Sequence, residues 1–309
     1  MNFKELRIIF MGTPEFAVTS LDKLVSEGCN IVGVITAPDK PAGRGMQLQQ
    51  SAVKKYAAEK GLNILQPEKL KDPAFLEELR VLKADLQAVV AFRMLPETVW
   101  NMPPMGTVNV HGSLLPQYRG AAPINWAVIN GEAFTGVTTF RLQHEIDTGN
   151  ILLSEKIKIA DDDDAGTLHD KLKEAGATLL LKTIIGLAES SITETPQKET
   201  GETLRHAPKL FTDTAKINWH EPTGKVYNLV RGLSPYPGAF ANFNGKNIKI
   251  FKAEKINEQP GIDAGEYQTD QKTFLRFACT DGYISVKEIQ PEGKKRMEIK
   301  DFLRGYRFP

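Results

Sequence analysis

Short apolar runs alternate with helical stripes over residues 1–188, and short period-2 runs closed by turn signals follow from 208 onward. The first pattern predicts an α/β fold with a Rossmann-like, doubly wound, mostly parallel sheet. The second predicts a smaller OB-like β-barrel. At 309 residues the chain exceeds what one average domain needs. The expected organisation is a domain over 1–188, a Thr-, Glu- and Gln-rich linker over 189–207, and the barrel over 208–309.

The elements follow in order. Residues 6–11 are an apolar run stopped by Gly12-Thr13-Pro14, which reads as a buried strand and a tight turn. Phe16, Val18, Leu21, Leu24 and Val25 recur at helical spacing, Gly28 closes that helix, and 30–36 is a second strand. This is a βαβ unit. It lacks a dinucleotide fingerprint, because Gly12 stands alone in the turn. Residues 37–50 form a Pro- and Gly-rich loop carrying Lys40 and Arg44. Ser51 is an N-cap for a helix to Lys60. A short strand over 62–65, a helix over 73–82 and a core strand over 85–91 come next. Strands are expected over 106–110, 135–142 and 151–160, and a helix over 122–130 stopped by Gly131. The acidic run 161–164 suits the positive N-terminus of the following helix, and residues 168–188 carry a helical apolar stripe interrupted at Gly176. Beyond the linker, a short helix over 225–232 precedes alternating runs at 239–243, 247–253, 273–278 and 282–289. Asn244-Gly245 and Asp281-Gly282 are turns between them.

The densest chemistry lies in Asn-Val-His-Gly-Ser-Leu-Leu-Pro, residues 109–116. Asn109 and His111 are two apart, so on a strand they share a face. Both can donate hydrogen bonds. Aimed at one oxygen, they would stabilise charge developing on a carbonyl under attack. The imidazole could also move a proton. Asp147, after another apolar run, is the best candidate to orient it. A strand end that merely hydrogen-bonds a loop stays open on the residues alone.

These motifs resemble the formyltetrahydrofolate-dependent formyltransferases. The resemblance is carried by residues 109–116, by Tyr118-Arg119-Gly120-Ala-Ala-Pro123, by Asp147-Thr148-Gly149 and by the opening Arg7–Gly12 with Thr13-Pro14-Glu15-Phe16. Pro38-Asp39-Lys40-Pro41-Ala42-Gly43-Arg44-Gly45, Ile217-Asn218-Trp219 and Ser234-Pro235-Tyr236-Pro237 are similar to the branch of that family that acts on tRNA. The resemblance implies a catalytic triad of Asn109, His111 and Asp147, in which an amine attacks the formyl carbon directly. It implies 10-formyltetrahydrofolate as co-substrate, held by Phe92, Arg93, Met94 and Leu95 and by Ser113, Leu114, Leu115 and Pro116. It implies initiator Met-tRNA as partner, touched by Lys40, Arg44, Lys294, Lys295 and Arg296, and it implies no metal. The chain departs from the family pattern at Met46 and Gln47, where lysines are common, and at Arg93 and Glu145, where glycine is common. Arg93 is expected to reshape the wall of the folate pocket.

Composition and charge narrow the alternatives. Hydrophobic residues make up 41% and charged residues 25%, as in soluble globular proteins. No apolar run is long enough to span a membrane, and the N-terminal Met-Asn-Phe-Lys-Glu-Leu-Arg has no signal core. A cytoplasmic monomer with two buried free thiols, Cys29 and Cys279, is expected. His144 and Glu145 read as a solvated turn rather than a metal pair. Residues 208–309 carry 17 Lys/Arg against 12 Asp/Glu, and the rest 22 against 26. A basic C-terminal part suits a polyanion such as RNA. Formylation of a small amine, such as an amino-sugar nucleotide or glycinamide ribotide, and non-catalytic RNA binding are the competing functions.

Overall fold

The computed structural model of the protein describes residues 1–42, 47–197 and 203–308. Arg44 and Met46 lie outside the described residues. The chain opens with β1 (Arg7–Gly12), α1 (Glu15–Ser26) and β2 (Asn30–Ile35). The helix buries Phe16, Leu21 and Leu24, three members of the stripe read from the sequence, and Gly28 leaves it at φ 79°. The expected loop over 37–50 is in part a hairpin, with β3 (Lys40–Ala42) antiparallel to β4 (Gln47–Gln49). Its base is pinned where Asp39 accepts from Lys54 Nζ at 2.5 Å and Gln66 Nε2 at 2.9 Å. Those partners are distant in sequence, which is why Pro and Gly content alone read as loop.

Ser51 caps α2 (Ala52–Glu59) by accepting the Lys54 amide at 3.0 Å. There follow β5 (Ile64–Leu65), α3 (Pro73–Val81), β6 (Leu86–Val90), α4 (Glu97–Trp100), β7 (Thr107–His111), β8 (Arg119–Gly120), α5 (Pro123–Ile129), β9 (Phe134–Arg141), β10 (Ile151–Lys158) and α6 (Ala165–Ala188). The central sheet has the order β10-β9-β7-β6-β1-β2-β5. Its run from β5 to β7 is parallel, and β9 is antiparallel to β7. Gly12 lies opposite Val90, and Val90 opposite Val110, so the carboxyl ends of β1, β6 and β7 form one edge. The connections diverge between β1 and β6, and such a switch point opens a ligand crevice beyond the strand ends.

The helix α6 runs through the gap that Gly176 leaves in its apolar stripe. The glycine serves close packing: a Cβ there would sit 3.1 Å from Val110 Cγ1 on β7. The helix also starts earlier than its apolar stripe. Asp164 accepts the Thr167 amide at 2.8 Å and returns its own amide to the Thr167 hydroxyl at 3.0 Å, a reciprocal cap.

Past β11 (His206–Ala207) come α7 (Thr223–Gly232), β12 (Ala239–Phe243), β13 (Lys246–Ile256), β14 (Tyr267–Thr269), β15 (Leu275–Ala278), β16 (Tyr283–Pro291), β17 (Met297–Glu298) and α8 (Ile299–Gly305). The strands form a curled antiparallel half-barrel, β12-β13-β16-β15-β14, with β17 on β16. Asn244 and Gly245, both at positive φ, make the turn between β12 and β13. Phe243 and Phe277 centre the core, and Trp219 stacks on Phe277 at 4.5 Å. The helix α8 buries Ile299, Phe302 and Leu303.

By contact, residues 1–120, 136–157 and 169–206 form one compact unit, and 121–135, 158–168 and 207–309 the other. Within the second, Asn125 Nδ2 donates to the Gly232 carbonyl at 2.8 Å, and Arg231 Nη1 donates to Asp163 O at 3.0 Å. Among the described residues no helix is long and apolar enough to cross a membrane. Asp164→Ala removes the cap of α6 and should cost about 1–2 kcal/mol, read from urea denaturation against wild type.

Candidate active site

The end of β7 sets the site. Asn109 pairs in register with Val89 of β6 and Phe140 of β9, so its backbone position is fixed from both sides. His111 is 6% exposed, with the Phe140 ring edge-on at 6.5 Å. Its Nε2 lies 2.9 Å from the carbonyl oxygen of Tyr118. A carbonyl oxygen only accepts, so Nε2 carries a hydrogen and Nδ1 is the nitrogen left to the site. Nδ1 is 3.8 Å from Asp147 Oδ2, an ion-pair distance when the ring is protonated and too long for a direct hydrogen bond.

The loop between them is built to present that carbonyl. The Ser113 hydroxyl donates to Gln117 O at 2.6 Å, and Thr138 Oγ1 donates to Ser113 O at 2.7 Å. The Leu115–Pro116 peptide is cis, and Tyr118 sits at φ 62°. The Gly120 amide then donates to Asp147 Oδ2 at 2.9 Å. Asp147 is itself left-handed, at φ 56°. A non-glycine residue held there costs about 1–2 kcal/mol and needs support from its surroundings. The Thr148 hydroxyl donates to Glu145 O at 3.1 Å, and the amide of Gln197 donates to the carbonyls of Asp147 and Gly149, each at 2.8 Å. The structure thus brings His111 and Asp147 together from β7 and the turn after β9.

The residues assigned to folate line the same strand edge. Phe92, Arg93, Met94 and Leu95 follow β6 directly; Leu95 is buried, Phe92 half-buried and Met94 exposed. Ser113, Leu114, Leu115 and Pro116 follow β7, with Ser113 and Leu115 buried. Arg93 is bound to the segment after β5. It donates from Nη1 to Glu68 O at 2.9 Å and from Nη2 to Pro67 O, with its guanidinium 5.6 Å from the Phe92 ring centroid. Two carbonyls thus draw the cation onto the segment after β5. Burial lowers its pKa from the ordinary arginine value.

Residues 6–184 match the family described as "Formyl transferase", and 209–307 match "Formyl transferase, C-terminal domain". The chain belongs to the formyl transferase family. Relatives named methionyl-tRNA formyltransferase include one from Parabacteroides distasonis, 55% identical over 99% of this chain and 98% of its own. One from Flavobacterium johnsoniae is 47% identical over the same shares. Among solved structures, an N-formyltransferase from Helicobacter canadensis, in complex with folinic acid and dTDP-3-aminofucose, is 20% identical with a TM-score of 0.69 over 94% of this chain and 100% of that one. HypX from Aquifex aeolicus, in complex with tetrahydrofolic acid, gives 19% identity and a TM-score of 0.66 over 97% of this chain. This chain spans about half of HypX, 48% of its length. At such identities these two show a shared fold.

Each of the other residues assigned to this formyl transferase has its own surroundings. Lys40 is exposed on β3. Lys294 and Lys295 are exposed in the turn between β16 and β17. Arg296 forks onto Glu288, Nε to Oε1 at 2.6 Å and Nη2 to Oε2 at 2.5 Å, above the Phe251 ring. Burial pushes the Cys29 thiol up to about 11 and Cys279 up to about 12, so both stay protonated. Among the described residues no three His, Cys, Asp or Glu gather as a metal site. Reading the sequence missed the Tyr118 carbonyl, the Gly120 amide and Gln197. The first two are backbone groups, whose direction depends on φ. Gln197 lies in a stretch with no period.

Gly149 follows Asp147 so closely against β9 that a methyl there would land on the carbonyl of Arg141. Gly149→Ala should therefore destabilise by about 2–4 kcal/mol in denaturant titration and lower activity beyond the loss of folded protein.

Proposed function

We propose that this protein transfers the formyl group of 10-formyltetrahydrofolate to the α-amino group of methionine on initiator tRNA. The observation that carries the reading is His111 Nδ1 turned toward Asp147 Oδ2, 3.8 Å away, at the carboxyl edge of the parallel sheet. The family membership and near full-length relatives at 47–55% identity support the acceptor. On this reading residues 1–188 are the catalytic domain, 189–207 the linker and 208–309 the tRNA-binding domain. The triad and the folate wall come from one chain, so one copy suffices, working in the cytoplasm.

The chemistry follows from the donors. The methionyl amine attacks the formyl carbon, forming a C–N bond while the carbonyl electrons move onto oxygen. Asn109 Nδ2 and the protonated Nδ1 of His111 donate to that oxygen. Asp147 balances the imidazolium and takes the proton from the attacking nitrogen. Returning that proton to N10 as the C–N10 bond breaks releases tetrahydrofolate and the formylated amine, with no covalent enzyme intermediate. Phe92, Arg93, Met94 and Leu95, with Ser113, Leu114, Leu115 and Pro116, hold the folate. Lys40, Arg44, Lys294, Lys295 and Arg296 contact tRNA phosphates. Arg296 reaches a phosphate only by leaving Glu288, so the two lysines carry the larger share.

Purified protein given the formyl donor should formylate charged initiator tRNA and leave free methionine untouched. An amino-sugar nucleotide that reacts faster than the tRNA would overturn the assignment. His111→Ala should lower kcat by roughly a hundred- to a thousand-fold while tRNA affinity holds; unchanged turnover removes His111 from the mechanism. If about four phosphates are neutralised, tRNA affinity should fall roughly a hundredfold between about 50 and about 200 mM salt, and a flat response in a filter-binding titration would exclude polyanion recognition.

A further inference from the structure

We infer that Gln197 is a positioning residue for the transfer, and that the segment around it clamps the Asp147 turn; the inference rests on the role assigned to Asp147 above. One side chain spans both loops of the site. Gln197 Nε2 donates to the carbonyls of Asp147 and Gly149, each at 2.8 Å. Its Oε1 accepts from Arg119 Nε at 3.1 Å and Nη2 at 2.6 Å. The amide can face only this way round, because the two carbonyls need a donor and a guanidinium needs an acceptor.

Arg119 is the residue between the two backbone groups that set the site. Tyr118 supplies the carbonyl that holds His111, and Gly120 the amide that holds Asp147 Oδ2. On the other side, binding both carbonyls that flank Thr148 fixes two peptide planes at once. The first of them, Asp147–Thr148, is one of the two planes that meet at left-handed Asp147, and holding it restrains the residue that carries the carboxylate. Gln197 therefore ties the loop after β7 to the turn after β9, and the separation of His111 from Asp147 depends on that tie.

The segment is anchored well enough to act as a clamp. Thr195 and Ile151 exchange backbone hydrogen bonds of 2.8 and 2.9 Å at the start of β10. Glu194 accepts from Arg141 Nε at 2.8 Å and Asn150 Nδ2 at 3.2 Å. These contacts bracket the turn 142–149 from outside the sheet. A shift of about 1 Å in a reacting group can cost on the order of a hundredfold in rate, so a side chain that never touches substrate can still govern turnover.

Gln197→Glu is the discriminating variant. It keeps the size and the acceptor for Arg119 but loses both donors and sets a carboxylate against two carbonyls. The expected result is a kcat lower by roughly 10- to 100-fold, with KM for the formyl donor within about threefold. Hydrogen exchange of the amides in 145–150 should be faster by about tenfold, and exchange in the central strands unchanged. Gln197→Ala should behave alike, and Gln197→Asn should recover little because its amide falls short. Exchange at 145–150 equal to wild type overturns the clamp. Faster exchange with kcat within twofold of wild type overturns the positioning role, as does a kcat loss matched by an equal loss of folded protein. Wild-type protein that transfers no formyl group would instead sink the role of Asp147, while the exchange measurement still decides the clamp.

Discussion

A carbonyl oxygen cannot donate, and the rest of the site follows from where one such oxygen points. The Tyr118 carbonyl takes the Nε2 hydrogen of His111, which leaves Nδ1 facing the carboxylate of Asp147. The carbonyl reaches that position because Tyr118 is left-handed, after a loop tied by the Ser113 hydroxyl and by Thr138 from β9. Had the ring turned over, Nδ1 would meet the carbonyl and the working nitrogen would point elsewhere. The tautomer is set by the backbone rather than by the Asp147 carboxylate, which lies beyond direct hydrogen-bond range.

The sheet explains why these groups meet at all. Parallel pairing of β1, β6 and β7 gives three carboxyl ends at one level, and loops leaving them are free to carry function. The antiparallel β9 meets β7 at His111 and runs back to Val108, and the 142–149 segment that follows brings Asp147 to His111. Gly176 on α6 and Gly149 beside β9 serve the same end, since each allows an approach to the strands that a side chain would block.

Much of this architecture was legible in the sequence because it is local. Strand boundaries β1, β2, β6, β7 and β9, the Ser51 cap and the Asn244-Gly245 turn all follow from neighbours within a few residues. The reading failed where distant partners decide. Lys54 and Gln66 hold Asp39, turning a Pro- and Gly-rich loop into a hairpin. Val110, equally distant in sequence, gives the gap at Gly176 its reason. In the site, Asn109, His111 and Asp147 carry spacing and motif signals, whereas the Tyr118 carbonyl, the Gly120 amide and Gln197, which hold His111 and Asp147, carry none.

Arg93 shows how a bulky cation can stand where the family commonly keeps glycine. Placed into a crevice unpaired, a guanidinium would carry a desolvation cost of several kcal/mol. Here its planar fork meets the carbonyls of Glu68 and Pro67, and its face lies near Phe92. Two of its N–H groups meet neutral carbonyl acceptors, and the exposed side chain leaves the others to solvent. The same contacts bind the segment after β5 to the loop after β6. Phe92 and Leu95 on either side of Arg93 pack on the core beneath the strand ends, so the loop is held by apolar contact as well as by the guanidinium.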